Sequence, residues 1–250
     1  RKNGFPGALL GLSGGVDSAL TLAIAVDALG ADNVRTVMMP SRYTADISLT
    51  DANEMVELLG IKHYQCSIQS LFDQYLATVE ADFHISPDPN GSNTMPENLQ
   101  ARIRGNLLMA LSNQSGSIVL TTGNKSEMAV GYCTLYGDMA GGFAVLKDVS
   151  KTMVYQLCEY RNRISPVIPE RIIQRAPSAE LRANQTDQDT LPPYEILDAI
   201  IEAYVERNYS PAEIMALNHN EADVARVIHL IHMNEYKRRQ SPPGVRITHC

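Results

Sequence analysis

The chain has 250 residues, of which 44% are hydrophobic and 20% are charged, and its net charge at pH 7 is −7. This length and composition are typical of a globular α/β protein with one sizeable core. A pI near 5.4 disfavours binding to nucleic acid or to anionic membranes, and no apolar run is long enough to span a bilayer. We therefore expect a single domain over residues 1–250, with no nucleic-acid partner and no membrane partner.

The cysteines and the start of the chain predict a cytoplasmic protein segment. Cys66, Cys133, Cys158 and Cys250 form no C-x-x-C pair and show no zinc-ligand spacing. Free thiols fit a reducing cytoplasm. Residues 1–4 show no signal peptide, and they are typical of a segment boundary rather than of a native N-terminus.

Strands and helices alternate in the first half of the chain. Apolar runs predict buried strands at residues 7–12, 34–39, 62–68 and 117–122. Helices are predicted at 19–29, 50–59 and 96–111, the second with Met55, Val56, Leu58 and Leu59 facing inward. The proline-containing stretch 82–96 predicts a loop. Strands separated by helices indicate a parallel sheet with helices on both faces, whose ligand site lies beyond the carboxyl ends of the strands.

The second half is predicted to be mainly helical. Apolar residues at helical spacing predict helices at 151–161, 194–208 and around Val224 to Ile231. Residues 210–213 form a capping box with proline at the first helical position. The stretch 178–193 is rich in Gln, Asp and Asn, has little to bury, and predicts a flexible loop.

The most informative motif is Ser13–Ser18, S-G-G-V-D-S, between the first strand and the first helix. Adjacent glycines let backbone N–H groups approach an anion, and the helix N-terminus adds a partial positive charge. The carboxylate of Asp17 suits Mg²⁺. The lysine of the usual mononucleotide loop is absent, so ATP would be held without it. The alternative is a glycine-rich turn that only connects the strand to the helix.

This hexapeptide resembles the pyrophosphate loop of the N-type ATP pyrophosphatases. The resemblance implies a parallel sheet flanked by helices, of the adenine nucleotide alpha hydrolase-like kind, with a mainly helical C-terminal part. Other segments extend it: 97–104, 121–127, 131–138, 175–181 and 235–239. Together they resemble NAD synthetase, and more the glutamine-dependent branch than the branch that uses only ammonia. The resemblance covers nearly the whole chain, and it leaves no room for the glutaminase domain of that branch.

Chemistry alone leaves several of these residues open. Glu127 follows a strand, so it could share Mg²⁺ with Asp17 or be an ordinary acidic residue of a turn. Arg102 and Arg104 lie two positions apart on one helix, so only one should reach a given ligand. Lys151 begins a helix, where a cation opposes the macrodipole and suggests an anion nearby.

Positive charge is favourable where Lys237 stands, at a helix end, so it could be purely structural. His229 and His232 have no third ligand of the right kind nearby, so a structural role is favoured over a metal site.

The resemblance assigns roles residue by residue. It implies that the phosphates of ATP bind at Gly11, Leu12, Ser13, Gly14, Gly15, Val16, Asp17 and Ser18. The other implied nucleotide contacts are Thr122, Lys151 and Ser178. The implied Mg²⁺ ligands are Asp17 and Glu127, which form the catalytic set together with Lys151. The implied contacts of deamido-NAD are Asn98, Arg102, Glu127, Tyr132, Cys133, Thr134, Leu135 and Lys237.

The implied reaction is the ATP-dependent amidation of deamido-NAD. The nicotinate carboxylate attacks the α-phosphorus, pyrophosphate leaves, and ammonia converts the acyl-adenylate to NAD and AMP. Ammonia is either free or supplied from glutamine through an additional domain, and a homodimer is implied. Because an adenylate must be kept from water, 42–47 and 178–193 are candidate lids. The alternatives are another adenylating member of the superfamily and a module that binds ATP without turnover.

Overall fold

A computed structural model describes residues 3–85 and 93–248 of the chain. Its strands are β1 (Ala8–Gly11), β2 (Val34–Met38), β3 (Lys62–Gln65), β4 (Ile118–Thr121) and β5 (Phe143–Ala144). Within the described residues they form one parallel sheet in the order β3-β2-β1-β4-β5. The predicted fold class and the four predicted strands are confirmed. The sequence did not predict β5, because two residues are too few to leave a periodic pattern.

The helices of the first half are α1 (Val16–Leu29), α2 (Asp46–Leu59), α3 (Gln69–Phe83) and α4 (Met95–Ser115). The later helices are α5 (Lys125–Val130), α6 (Lys151–Ile164), α7 (Glu170–Gln174), α8 (Tyr194–Ile201), α9 (Pro211–Ala216), α10 (Glu221–Met233) and α11 (Glu235–Arg238). The mainly helical C-terminal part is therefore confirmed. The predicted helix 194–208 is shorter as an α-helix, because a π-helical turn, Glu202–Glu206, follows α8.

The strands place alternate side chains on opposite faces of the sheet. On one face Ala8 and Leu10 pack against α1, α2, α6 and α7, with Leu22 and Met55 fully buried there. On the other face Leu9 packs with residues of α3 and α4. A third apolar cluster joins α5, α8, α9 and α10. The period of two along each strand explains why both faces of the sheet are covered.

The chain returns to the sheet after α11. Pro243 O accepts a hydrogen bond from Ala144 N at 2.8 Å, and Gly244 forms a parallel bridge with Ala144. Lys125 pairs with Asp148 at 2.8 Å, and Asp148 also accepts the backbone N–H of Thr248 at 2.7 Å. This closing segment covers the outer edge of β5.

Two details of α2 differ from the expectation. The helix begins at Asp46 rather than at Thr50, because its first turn packs against the glycine loop instead of lying in a connection. Leu58 was expected to face inward but is 53% exposed. The buried stripe runs through Ala52 and Met55, and Leu58 lies beside that stripe rather than on it.

Two predicted loops also need correction. The stretch 82–96 contains the end of α3 and the start of α4, and its residues 86–92 lie outside the described part of the chain. The stretch 178–193 does bury side chains: Asp187 is 3% exposed and Leu191 is 6% exposed. Because Asp187 accepts a hydrogen bond from Tyr194, this stretch is fixed at one end. In the described residues no helix is long and apolar enough to cross a membrane.

Candidate active site

The glycine loop, Ser13–Ser18, is ordered by its own hydrogen bonds. Ser18 Oγ donates to Gly15 O at 2.9 Å, and Gly15 N donates to Ser13 Oγ at 3.2 Å. Gly14 has φ of +80°, and a Cβ there would stand 2.4 Å from Ser48 O on α2. A residue with a side chain at position 14 would therefore meet both backbone strain and a steric clash.

The loop forms one wall of a cavity at the carboxyl ends of β1, β2 and β4, which we call the central cavity. Its other walls come from α4, α6, the turn after β4 and residues 175–181. The lining includes Gly11, Leu12, Ser13, Gly15, Val16, Asp17, Ser18, Arg104, Thr122, Glu127, Tyr132, Thr134, Lys151, Arg175, Ser178 and Asp187. The position at the strand ends is where ligands bind in parallel α/β sheets.

Asp17 and Glu127 meet at the ammonium group of Lys151. Lys151 Nζ lies 2.5 Å from Asp17 Oδ2 and 3.2 Å from Glu127 Oε1, and its side chain is 2% exposed. The two carboxylates come from α1 and α5, which follow β1 and β4. The sequence thus placed both acidic residues at one edge of the sheet and suggested an anion near Lys151, but it did not indicate that Lys151 pairs with both carboxylates.

The start of α5 orients this pair. Asn124 Oδ1 accepts the backbone N–H of Glu127 at 2.9 Å, in a capping box that also involves the Glu127 carboxylate. Asn124 Nδ2 donates to Asp17 Oδ1 at 2.8 Å. Glu127 therefore caps a helix and also lies with Asp17 at the ammonium group of Lys151.

Burial and charge act in opposite directions on these groups. Burial opposes the charge of Lys151, but the carboxylates of Asp17 and Glu127 outweigh it and raise the pKa of Lys151. Burial, and then the charge of Asp17, raise the pKa of Glu127 although Lys151 opposes this. The two directions are consistent because the ammonium is closer to Asp17, so Glu127 receives the weaker attraction.

The sequence did not predict that Asp187 and Tyr194 are buried near Lys151. Tyr194 OH donates to Asp187 Oδ2 at 2.7 Å, and Lys151 Nζ lies 5.2 Å from the centre of the Tyr194 ring. Both residues are buried. Their only signal in the sequence was a polar stretch before a helix, which is typical of any surface loop.

Two guanidinium groups face the central cavity. Arg104 Nε donates to Met39 O at 3.0 Å, and burial lowers the pKa of Arg104 to about 10 although Glu180 opposes this shift. Arg175 donates to Gly14 O and to Ser48 Oγ, both at 2.9 Å. The prediction that Arg102 and Arg104 point to different places is confirmed, because Arg102 lies outside this cavity.

A second depression, which we call the side hollow, adjoins the central cavity. It is lined by α3, α4, residues 135–141, Gln240 and Pro242, and it shares Gly105 and Ala140 with the central cavity. Arg102 and Leu135 lie here, and Arg102 Nε donates to Leu135 O at 3.2 Å.

The remaining candidate residues lie around the turn after α5. Thr134 Oγ1 donates to Asn98 Oδ1 at 2.7 Å, which joins this turn to α4. Lys237 Nζ donates to Gly131 O at 2.7 Å and to Cys133 O at 2.8 Å. Lys237 therefore holds backbone carbonyls of this turn, and of the candidate residues 132–135 only Tyr132 and Thr134 line the central cavity.

Asp17 and Glu127 could hold a metal only with help from a ligand. Among residues 3–85 and 93–248, no group of three or more His, Cys, Asp or Glu side chains is arranged to hold a metal ion. Mg²⁺ is commonly bound by one or two carboxylates together with substrate phosphates. Two carboxylates beside a phosphate-type loop fit that arrangement. His232, for which a structural role was favoured over metal binding, contacts Tyr204 OH at 2.8 Å.

Comparison with known proteins identifies the family. The family model described as NAD synthase matches residues 1–241. The chain belongs to the NAD synthase family. It is 55% identical over 250 residues to a glutamine-dependent NAD(+) synthetase of Acinetobacter baylyi, covering 99% of this chain and 46% of that protein. A glutamine-dependent NAD(+) synthetase of Aquifex aeolicus is 51% identical, with 99% and 43% covered. The chain thus spans about half the length of these curated relatives.

Solved structures of NAD synthase relatives agree with this. A glutamine-dependent NAD+ synthetase from Acinetobacter baumannii, solved with ADP, matches with 52% identity and a TM-score of 0.67, covering 99% of this chain and 44% of that one. An NMN synthetase from Francisella tularensis matches with 28% identity and a TM-score of 0.78, covering 95% and 88%.

Proposed function

We propose that the chain is the synthetase part of an NAD synthetase and catalyses the ATP-dependent amidation of deamido-NAD. The observation that carries the proposal is the convergence of Asp17 and Glu127 at Lys151 beside the glycine loop. Family membership supports the reaction class. In this reaction the carboxylate attacks the α-phosphorus of ATP, pyrophosphate leaves, and ammonia displaces AMP from the acyl carbon.

The phosphates of ATP would bind at the glycine loop. The loop precedes α1, so its backbone N–H groups and the helix N-terminus favour an anion there. Ser13 and Ser18 add hydroxyl groups that already hold the loop in shape. Thr122 and Ser178 line the same cavity, which supports their assignment as nucleotide contacts. These groups would align the α-phosphorus, which is most of the catalysis in such a transfer.

Asp17 and Glu127 would hold Mg²⁺ together with phosphate oxygens. The ion would supply neutralisation of the charge that develops on the departing pyrophosphate. Lys151 would add a fixed positive charge to the same region, because its raised pKa keeps it an ammonium at neutral pH.

Deamido-NAD would bind across the central cavity and the side hollow. The two depressions adjoin at Gly105 and Ala140, which form part of the wall of each. Arg102 in the side hollow offers a positive charge to an anionic dinucleotide, beside Leu135. Tyr132 and Thr134 lie on the cavity side, while Asn98, Cys133 and Lys237 would support the turn that carries them. This supports a substrate larger than the nucleotide alone.

The source of ammonia and the assembly are further parts of the proposal. Because relatives named glutamine-dependent are about twice as long as this chain, ammonia could come from a glutaminase domain of the whole protein or from solution. We also propose a homodimer, supported by exposed Leu71, Tyr75 and Met109 around the side hollow. Sedimentation of the whole protein tests the dimer, and activity with glutamine against ammonium tests the nitrogen source.

Release of pyrophosphate tests the function. With ATP, Mg²⁺ and ammonium, we expect pyrophosphate, AMP and amide to form in equal amounts only when deamido-NAD is added. Nicotinate mononucleotide and XMP serve as alternative acceptors. Faster turnover of either would identify that acceptor as the substrate in place of deamido-NAD. ATP binding without pyrophosphate release would indicate a module that binds ATP without turnover.

A further inference from the structure

The segment 175–189 crosses the central cavity and is fixed at both of its ends. At the first end, α7 is tied to α2 because Arg171 pairs with Asp51 at 2.6 Å and with Glu54 at 2.8 Å. At the other end, Asp187 is buried and bonded to Tyr194. Between these ends the segment lines the cavity through residues 175–181.

Glu180 connects the middle of this segment to α2. Ser48 Oγ donates to Glu180 Oε1 at 2.6 Å, and Ala45 N donates to Glu180 Oε2 at 3.2 Å. Ala45 is the N-cap residue of α2 and supplies no capping side chain of its own. The carboxylate of Glu180 therefore caps α2 from 135 residues away in the chain, where a negative charge is favoured by the helix dipole.

The same contacts reach the glycine loop. Arg175 lies 3.7 Å from Glu180 Oε1, and it donates to Ser48 Oγ and to Gly14 O. Ser48 is fully buried, and its carbonyl lies where a side chain at position 14 would be. Glu180 is thus connected to the glycine loop through Arg175 and Ser48.

The backbone conformation of Glu180 depends on its side-chain contacts. Glu180 has φ of +50°, a left-handed conformation that residues with a side chain rarely adopt. Its N–H is held by Ser178 Oγ at 3.2 Å. Such a conformation persists only where surrounding contacts maintain it, and here these contacts are the bonds of the carboxylate to α2.

We propose that Glu180 is a positioning residue that holds the segment 175–189 over the central cavity and keeps water from the activated carboxylate. This rests on the proposed function. When the segment opens, water adds to the acyl carbon of the adenylate and the bond between that carbon and the AMP oxygen breaks. The carboxylate is then regenerated and ATP is consumed without amide formation.

The test compares Glu180→Gln with Glu57→Gln, an exposed glutamate on α2 that serves as the matched control. We expect Glu180→Gln to raise the KM for ATP by about tenfold, the loss of one charge-assisted hydrogen bond. AMP formed per amide formed, measured with ammonium as nitrogen donor, should rise well above one. The control should keep the wild-type values. An unchanged ratio in Glu180→Gln would overturn the proposal.

Hydrogen exchange gives a readout that needs no turnover. Amides of 176 and 178–189 should exchange faster in Glu180→Gln than in the control, both with and without Mg-ATP, while urea unfolding remains cooperative. Ser48→Ala should have the same effect, and the double variant should add little to it, since both changes remove one shared contact. If the wild type forms no pyrophosphate from deamido-NAD, the proposed function fails, whereas exchange in this segment still decides the role of Glu180. Wild-type exchange in both variants would refute it.

Discussion

Burial opposes the charge of Lys151, but the carboxylates of Asp17 and Glu127 and the charge of Asp187 raise its pKa. The charge of Asp17 also helps to raise the pKa of Glu127 despite Lys151, so one ammonium group does not fully offset the negative charge at this site. The imbalance supports a second cation in the working enzyme, and Mg²⁺ is the cation that phosphates and carboxylates share.

Replacement of Lys151 by methionine tests this balance. Lys151→Met should lower the free energy of unfolding by about 3 kcal/mol, the low end for breaking a buried ion pair, because both carboxylates partly face the cavity. Added Mg²⁺ should raise the melting temperature of this variant more than that of the wild type. Arg163→Met, an exposed position on α6, is the control. Equal Mg²⁺ shifts in all three proteins would argue against a metal at this pair.

Glu127→Gln separates catalysis from stability. The amide keeps an acceptor for the capping contact, while the charge that would hold Mg²⁺ is lost. We expect kcat to fall by about 10²-fold to 10³-fold, or about 2.7–4 kcal/mol in the barrier, with little change in the urea midpoint. The control is Glu195→Gln on α8, an exposed position. Normal turnover with normal Mg²⁺ dependence would refute the assignment.

Ionisation of Glu127 also gives the site a pH dependence. Burial and the charge of Asp17 raise the pKa of Glu127, so its carboxylate ionises at higher pH than an ordinary glutamate. Activity that needs the ionised group should therefore rise as the pH increases through that raised pKa. A pH profile of kcat/KM, which reports ionisations in the free enzyme, should show this limb in the wild type, and a flat profile would contradict the assignment.

At the residue scale the sequence predicts which residues meet only where the general topology of parallel α/β sheets brings them together. Asp17 and Glu127 were expected to meet because both follow strands of one parallel sheet. Arg175 could not be placed this way, because its partners Ser48 and Gly14 lie 127 and 161 residues away. Lys237 lacked any signal for the backbone carbonyls that it holds.

The contact between the glycine loop and α2 depends on one position. Gly14→Ala would place a methyl group 2.4 Å from Ser48 O at φ of +80°. We expect a loss of about 1–3 kcal/mol in the free energy of unfolding and weaker ATP binding, measured by urea titration and calorimetry. Gly15→Ala is the matched control, because its Cβ would meet only Ser13 Oγ at 3.3 Å. Equal losses in the free energy of unfolding from the two changes would contradict this account.

Elements were predicted where burial is continuous along the chain. β1, β2 and α1 place most of their residues in the core, so their patterns were clear. By contrast, α3 buries only Phe72 fully among its residues, so its sequence lacks the stripe that indicates a helix. The extended bounds of α2 depend on its contacts with distant segments, which no local pattern records.

At the scale of the molecule, Asp148 joins the end of the chain to the sheet. Burial opposes its ionisation, but hydrogen bonds from Lys125 and from the backbone of Thr248 and Ile247 outweigh this and lower the pKa of Asp148 to about 2. The unfolded value is near 3.9. The folded carboxylate therefore contributes stability above about pH 4, and this contribution is lost as the pH falls towards 2.

Asp148→Asn should remove that part of the acid sensitivity. The wild type should lose more of its urea midpoint than the variant between about pH 5 and about pH 2.5, since only the wild type has this carboxylate to protonate. Asp32→Asn, an exposed position, should behave like the wild type. Parallel pH curves for Asp148→Asn and the wild type would contradict the assignment.

The two edges of the sheet differ in whether another segment of the chain covers them. The tail of the chain seals the β5 side through Ala144 and Gly244, whereas β3 has no further strand beside it in the part of the chain described. Lys62 and Tyr64 are exposed there, and a lysine on an open edge discourages strand addition by another molecule. The charge of Lys62 should therefore keep concentrated samples from aggregating through β3, and storage at a pH or salt concentration that weakens this charge should shorten their shelf life.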